Sequence, residues 1–168
     1  MSRSAPYNHF RDKRELLAAV AEVGFGRFAQ EMLEGDSAGR NARERFLDVG
    51  RGYARFALNN PNLFKLMFSA ELASLKALGQ LQAASDETQS IFRTALDAFL
   101  EERGGAAPAS MQLQTLAWGC IHGLSLLLIE NRLSVPPRDP HQLVAQVTEL
   151  FTDMVTSSFE KTEQLPPR

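Results

Sequence analysis

The chain has 168 residues, 44% hydrophobic and 23% charged, with a net charge of −2. This is one ordinary domain, or one and a fragment, with enough length to bury a core, and the composition argues against bulk disorder. A single cysteine, Cys120, excludes an intrachain disulfide, and the N-terminus has no apolar signal-peptide core.

Every periodic segment has helical period. No Asn-Gly or Asp-Gly turn separates alternating runs and β-branched residues are sparse, so the fold class is all-α. The opening stretch, SRSAPYNHFRDK, precedes the first helix. Residues 1–14 carry Arg3, Arg11, Lys13 and Arg14 against Asp12 alone, so basic charge sits at one end of an acidic body. Two readings stand: a phosphate-contacting footprint, or a solvated terminus.

Helical spacing begins near Lys13, with Leu17, Val20, Gly24, Phe28 and Met32 in one row. Gly24 and Gly26 are costly inside a helix and are either sites of close approach or simply tolerated. A second helix over 42–58 has Phe46, Val49, Tyr53, Phe56 and Ala57 on its apolar face, with Arg43, Arg51 and Arg55 elsewhere. Asn60 is a candidate cap and Pro61 suits a first helical position, opening a short apolar helix, NLFKLMFS. Leu72, Leu75, Leu78 and Leu81 continue the spacing. Ser85, ahead of Asp86 and Glu87, is read as the cap of the next helix. Its core face is Ile91, Phe92, Ala95, Leu96, Phe99 and Leu100, and Gly104-Gly105 ends it.

The helix over 109–131 has two apolar stripes. One is Leu113, Leu116, Ala117, Cys120, Leu124, Leu127 and Leu128; the other is Trp118, His122, Ser125 and Ile129. A helix apolar on two sides is covered on two sides, and Cys120 is expected to be a buried, inert thiol. The apolar run over 116–129 is too short to span a bilayer and contains His122. The last helix follows Asp139 as cap and Pro140 at its first position. It shows Leu143, Val147, Leu150 and Met154, flanked by Val144, Phe151 and Val155. About seven helices are thus expected, and the tail KTEQLPPR is expected to fray. The last two helices of each of two subunits can close a four-helix bundle across a twofold axis. Gly119 and Gly123 leave a flat strip for a partner backbone. The expected dimer interface is Gly119, Gly123, Leu127, Leu143, Val147, Leu150 and Met154.

Catalytic and metal chemistry find no pattern. The histidines His9, His122 and His141 are far apart, and Cys120 and His122 point in different directions along a helix. There is no phosphate-binding glycine loop. No enzyme activity, metal or cofactor is expected. His122 has two readings: a hydrogen-bonded core histidine, or a polar group orienting an apolar ligand. The aromatic group Tyr53, Phe56, Phe64, Phe68, Phe92 and Trp118 shares that ambiguity, and with His122 it forms the candidate ligand site.

The opening stretch resembles a pattern of the tetracycline-repressor (TetR) family of bacterial regulators. In that family a Ser or Thr opens a short recognition helix; a Tyr, a His and a Phe follow, then a turn, a Lys and a Leu. Here these are Ser2, Tyr7, His9, Phe10, Lys13 and Leu16 or Leu17. YARFALNNPNLFKLMF and AWGCIHGLSLLL are similar to the ligand-binding domain of a branch named for its Trp, His and Gly, which would be Trp118, His122 and Gly123. The resemblance covers essentially the whole chain. It implies base reading by Arg3, Ser4 and Asn8 and phosphate contacts by Tyr7, His9 and Lys13. Pro6 is tolerable only in or just after the first turn of such a helix.

By this resemblance the domains are 1–14, the remnant of a helix-turn-helix; 15–162, for ligand binding and dimerisation; and 163–168, a disordered tail. Met1 stands where the family has the Val of a Gly-Val pair, and GTG also serves as a bacterial start codon. A mis-called start or a true truncation would then leave out roughly 30–45 residues of the DNA head. The chain as given is expected to bind DNA weakly and without sequence preference, because so short a helix is unstable alone. A cytoplasmic protein is the expectation from the residues, and the resemblance implies a homodimeric regulator, in the repressor role. Its partners are operator DNA, for the full-length form, and a small, largely apolar effector, with no membrane. The alternative is a stand-alone helical ligand-binding and dimerisation module without specific DNA binding.

Overall fold

The structure is a computed structural model and describes residues 10–34, 41–73, 79–102, 111–134 and 136–163. Seven helices are present among them: α1 (Lys13–Leu33), α2 (Ala42–Asn59), α3 (Pro61–Met67), α4 (Ala70–Ala73), α5 (Gly79–Glu101), α6 (Met111–Ile129) and α7 (Pro140–Glu163). Among the described residues there is no strand.

Local chemistry sets the ends. Asp12 caps α1 by accepting the Glu15 amide at 2.9 Å, and Asn41 caps α2 through the Glu44 amide at 2.8 Å. Asp139 accepts the amides of His141 and Gln142, with Pro140 at the first position of α7. Asn131 closes α6 in the left-handed region (φ 53°). The Arg132 amide returns to the Leu127 carbonyl and the Asn131 amide to that of Leu128, the paired bonds of a Schellman cap.

Two expected caps are different. Asn60 gives no side-chain cap to α3; its amide nitrogen donates back to the Phe56 carbonyl at the end of α2. Ser85 opens nothing: α5 starts at Gly79 and carries Ser85 buried mid-helix. Leu75, Leu78 and Gly104-Gly105 lie outside the described residues.

Helix α2 is the hub, packed by α1, α5, α6 and α7. Its phenylalanines and tyrosine fill the core, while small residues let neighbouring backbones close in. A Cβ on Gly52 would collide with the Glu31 carbonyl oxygen. Arg55, one turn on, clamps the same residue, bonding its carboxylate at 2.5 Å and its carbonyl at 3.1 Å. Gly50 faces Thr148 of α7, where Arg51 reaches Glu149 and Arg43 reaches Asp153. Gly24 is also a point of close approach, against Met67 and Leu63, whereas Gly26 faces open space.

The buried row of α1 is Ala18, Ala21, Phe25, Phe28 and Met32, which leaves Val20 exposed. Helix α6 buries Ala117, Ile121 and Ser125, and turns Leu116, Gly119, Cys120 and Leu127 outward. Cys120 is therefore exposed rather than buried, because it shares a face with Leu116 and Leu127 and not with Ile121. At 19 residues without a charged side chain, α6 is long and apolar enough to cross a bilayer by length and composition, longer than the run read from sequence. Helix α7 buries Val144, Thr148, Thr152 and Val155, so Leu143 and Val147 are half-buried and Leu150 and Met154 are exposed. It stays helical to Glu163; Gln164 to Arg168 lie outside the described residues.

The α1–α2 crossing predicts opposite outcomes for two glycines. Gly52→Ala should destabilise by about 3 kcal/mol, since its methyl meets backbone that cannot swing aside. Gly26→Ala should stabilise by about 0.5–1 kcal/mol. Urea unfolding of both variants checks the pair.

Candidate functional site

Tyr53 leaves α2 into a cluster of rings. Phe28 of α1 meets it edge-on at 4.7 Å between centroids and stacks on Phe56 at 4.9 Å. Phe64 of α3 lies 5.9 Å from Tyr53, and Phe68, the residue capping α3, lies 4.9 Å from Phe64. From α6, the His122 ring sits 4.6 Å from Phe68 and 5.3 Å from Trp118. Edge-to-face and tilted pairs of this kind add to simple burial.

The polar atoms inside the cluster satisfy one another. The Trp118 indole N–H donates to the Tyr53 oxygen at 3.2 Å, and that oxygen lies 2.8 Å from His122 Nδ1. An indole N–H can only donate, so the phenol oxygen accepts there, and giving its single proton to Nδ1 is the arrangement that satisfies all three groups. His122 is then the neutral tautomer protonated at Nε2. Burial agrees: it lowers the His122 pKa and pushes the Tyr53 phenol far up, only partly offset by the Trp118 bond. Both shifts favour the neutral forms, which suits a hydrogen-bonded pair that fixes geometry.

A cleft of about 180 Å³ opens beside this cluster. Its inner walls are Phe28, Tyr53, Phe68, Phe92 and Trp118, and Ser85, Thr88, Gln89, Arg93, Gln114 and Thr115 complete the lining. Ser85, Thr88 and Phe92 are buried; Gln89, Arg93 and Thr115 are exposed at the rim. Of the expected ligand residues, Tyr53, Phe68, Phe92 and Trp118 meet at the cleft. Phe56 and Phe64 are fully buried in the ring cluster and do not line it. His122 stands behind Tyr53, joined to the cleft through the phenol.

The polar lining was missed by sequence reasoning, although a signal existed. Ser85, Thr88 and Gln89 precede Phe92 by seven, four and three positions, one face of α5. Gln114 and Thr115 bear the same relation to Trp118 on α6.

The other expected sites are separate. Arg3, Ser4, Tyr7, Asn8 and His9 lie outside the described residues, and Lys13 is exposed at the start of α1. Of the expected interface residues, Gly119, Leu127 (43% exposed), Leu150 (59%) and Met154 (62%) are exposed, and Gly123, Leu143 and Val147 are half-buried. Among the described residues, no three His, Cys, Asp or Glu side chains gather as metal ligands would.

The family model described as Tetracyclin repressor-like, C-terminal domain matches residues 46–151. No curated protein matches the chain. Among solved structures, a bacterial regulatory protein in the tetR family from Rhodococcus RHA1 superposes with a TM-score of 0.72 at 22% identity, covering 92% of this chain and 80% of that one. A protein of unknown function from Rhodococcus sp. RHA1 gives 0.70 at 25% identity, covering 92% and 78%. The TetR family transcriptional regulator PfmR from Thermus thermophilus gives 0.69 at 17% identity, covering 91% and 82%.

Tyr53→Phe should cost about 1–3 kcal/mol, because it strands the indole N–H and Nδ1 together. The lowered His122 pKa also gives a sign. Below the ordinary histidine value of about 6.5 the unfolded chain takes up a proton that the native state refuses. Stability contributed by this group is complete above that value and is lost as pH falls toward the native pKa. His122→Asn should flatten this part of the slope, measured as urea midpoints at neutral and mildly acidic pH.

Proposed function

This chain belongs to the family of Tetracyclin repressor-like C-terminal domains, and on that premise we propose that it serves a cytoplasmic, homodimeric transcriptional repressor that releases DNA on binding a small, largely apolar effector. The observation that carries the reading is the double duty of α6. On one side it holds Trp118 in the cleft wall; on the other it carries Leu116, Gly119 and Leu127, all exposed, with Gly123 half-buried among them.

In this reading the effector enters the cleft between α5 and α6, against Tyr53, Phe68, Phe92 and Trp118. Phe56, Phe64 and His122 back these walls. The α6 face and the Leu143, Val147, Leu150 and Met154 face of α7 pair with a second copy, and two long helices from each subunit give a four-helix bundle. A ligand that prefers one setting of α6 shifts the population between two spacings of the DNA-contacting ends. The basic segment with Arg3, Ser4, Tyr7, Asn8, His9 and Lys13 meets the DNA: Arg3, Ser4 and Asn8 read base edges, and the others hold phosphates. Within the chain, residues 15–162 make the ligand-binding and dimerisation part. No catalytic step, cofactor or membrane contact enters this function.

Two measurements test it. Immunoprecipitation of the native gene product with its chromatin should enrich a small set of sites, and less so after effector is added. Uniform background would contradict regulation and leave a ligand-binding dimerisation module. Sedimentation should give a dimer for the wild type, and Leu150→Glu with Met154→Glu should weaken association at least about tenfold by burying unpaired charge.

A further inference from the structure

The cleft is chemically two-ended. At the inner end the hydrogen-bonding groups are already in use. The Tyr53 oxygen accepts from Trp118 and lies against His122 Nδ1, and the Thr88 hydroxyl donates to the Ser85 carbonyl at 2.7 Å. What remains to meet a ligand there is ring surface: Phe28, Phe68, Phe92 and Trp118.

The rim is different. Arg93 is the one charged side chain among the described residues lining the cleft, and no carboxylate lies with it. Arg43, Arg51 and Arg55 of α2 are each paired with an acid, whereas Arg93 makes no ion pair among the described residues. Gln89 stands beside it as a further donor, while the Thr115 hydroxyl is spent on the Met111 carbonyl. A guanidinium has five donors in a planar fork that fits a carboxylate. Size narrows the choice: the volume of about 180 Å³ compares with roughly 150 Å³ for a cavity that holds benzene. One ring and a short arm fill it.

Given the effector role proposed above, on which this rests, we infer that the cleft takes a single-ring aromatic carboxylic acid. Its ring lies among Phe68, Phe92 and Trp118, and its carboxylate sits on Arg93. A neutral or cationic compound of the same shape fits the ring wall and lacks the ion pair.

Phenylacetate and its neutral isostere phenylacetamide serve as probes, titrated into the whole chain. Trp118 is the only tryptophan, so its emission reports the cleft. Phenylacetate should bind at least about tenfold more tightly than the amide. In Arg93→Gln, an exposed substitution whose fold is checked by thermal unfolding, the acid should fall to about the amide's affinity while the amide is unchanged. Equal binding of acid and amide, or an acid preference that survives in Arg93→Gln, overturns the carboxylate assignment and leaves the effector cleft standing. Failure of both probes to saturate at millimolar concentration overturns the inference and counts against the cleft as an effector site.

Discussion

The rest of the structure depends on one buried oxygen. The Tyr53 side chain is buried, and an unpaired hydroxyl there would be costly. It takes its partners from α6: the Trp118 indole and the His122 ring, four positions apart. Both bonds are met only when α6 holds one rotation about its axis and one height along α2. That rotation buries Ala117, Ile121 and Ser125, and it sends Leu116, Gly119 and Leu127 outward. Hydrophobicity alone could not choose, because α6 is apolar on both sides; a directional bond can.

For the phenol to sit there, α2 must itself be fixed, and that is the work of its small residues. Gly52 lets the α1 backbone approach as no other residue could, and Arg55 locks the crossing onto Glu31. Gly50 does the same more loosely toward α7. The large side chains of α2 then fall between the neighbouring helices, where Phe28, Phe64 and Phe68 enclose Tyr53. A cleft persists because the α5 positions facing Tyr53 and Phe68 are Ser85, Thr88 and Gln89, too small or too polar to fill the space against the rings.

Helix type and several helix limits were legible from sequence, because they follow from local chemistry: Asp139 and Pro61 act within a few residues of where they stand. The resemblance carried by YARFALNNPNLFKLMF and AWGCIHGLSLLL also pointed to the family the chain belongs to. Facing was less legible. In α7, Val144 and Val155 turn inward ahead of Leu150 and Met154, and in α6 Cys120 lies outside. In each case the outward row is at least as apolar as the inward one, which carries Thr148 and Thr152 in α7 and Ser125 in α6, so hydrophobic period alone points the wrong way. Ser85 illustrates the opposite error: its local signal as a cap was overridden because α5 begins earlier, and with it went the clue to the polar side of the cleft. Tyr53 and His122 were each singled out, but their bond joins residues 69 apart, which no periodicity reveals.

The most direct test of this arrangement is the nitrogen-15 NMR spectrum of His122 across the pH range around neutrality. An unprotonated, hydrogen-bond-accepting Nδ1 and a protonated Nε2 are expected, with the ring staying neutral below the pH at which an ordinary histidine charges. A charged ring at that pH, or a proton resident on Nδ1, would contradict it: Nδ1 would then donate to the phenol oxygen, and the phenol proton would have no acceptor in His122.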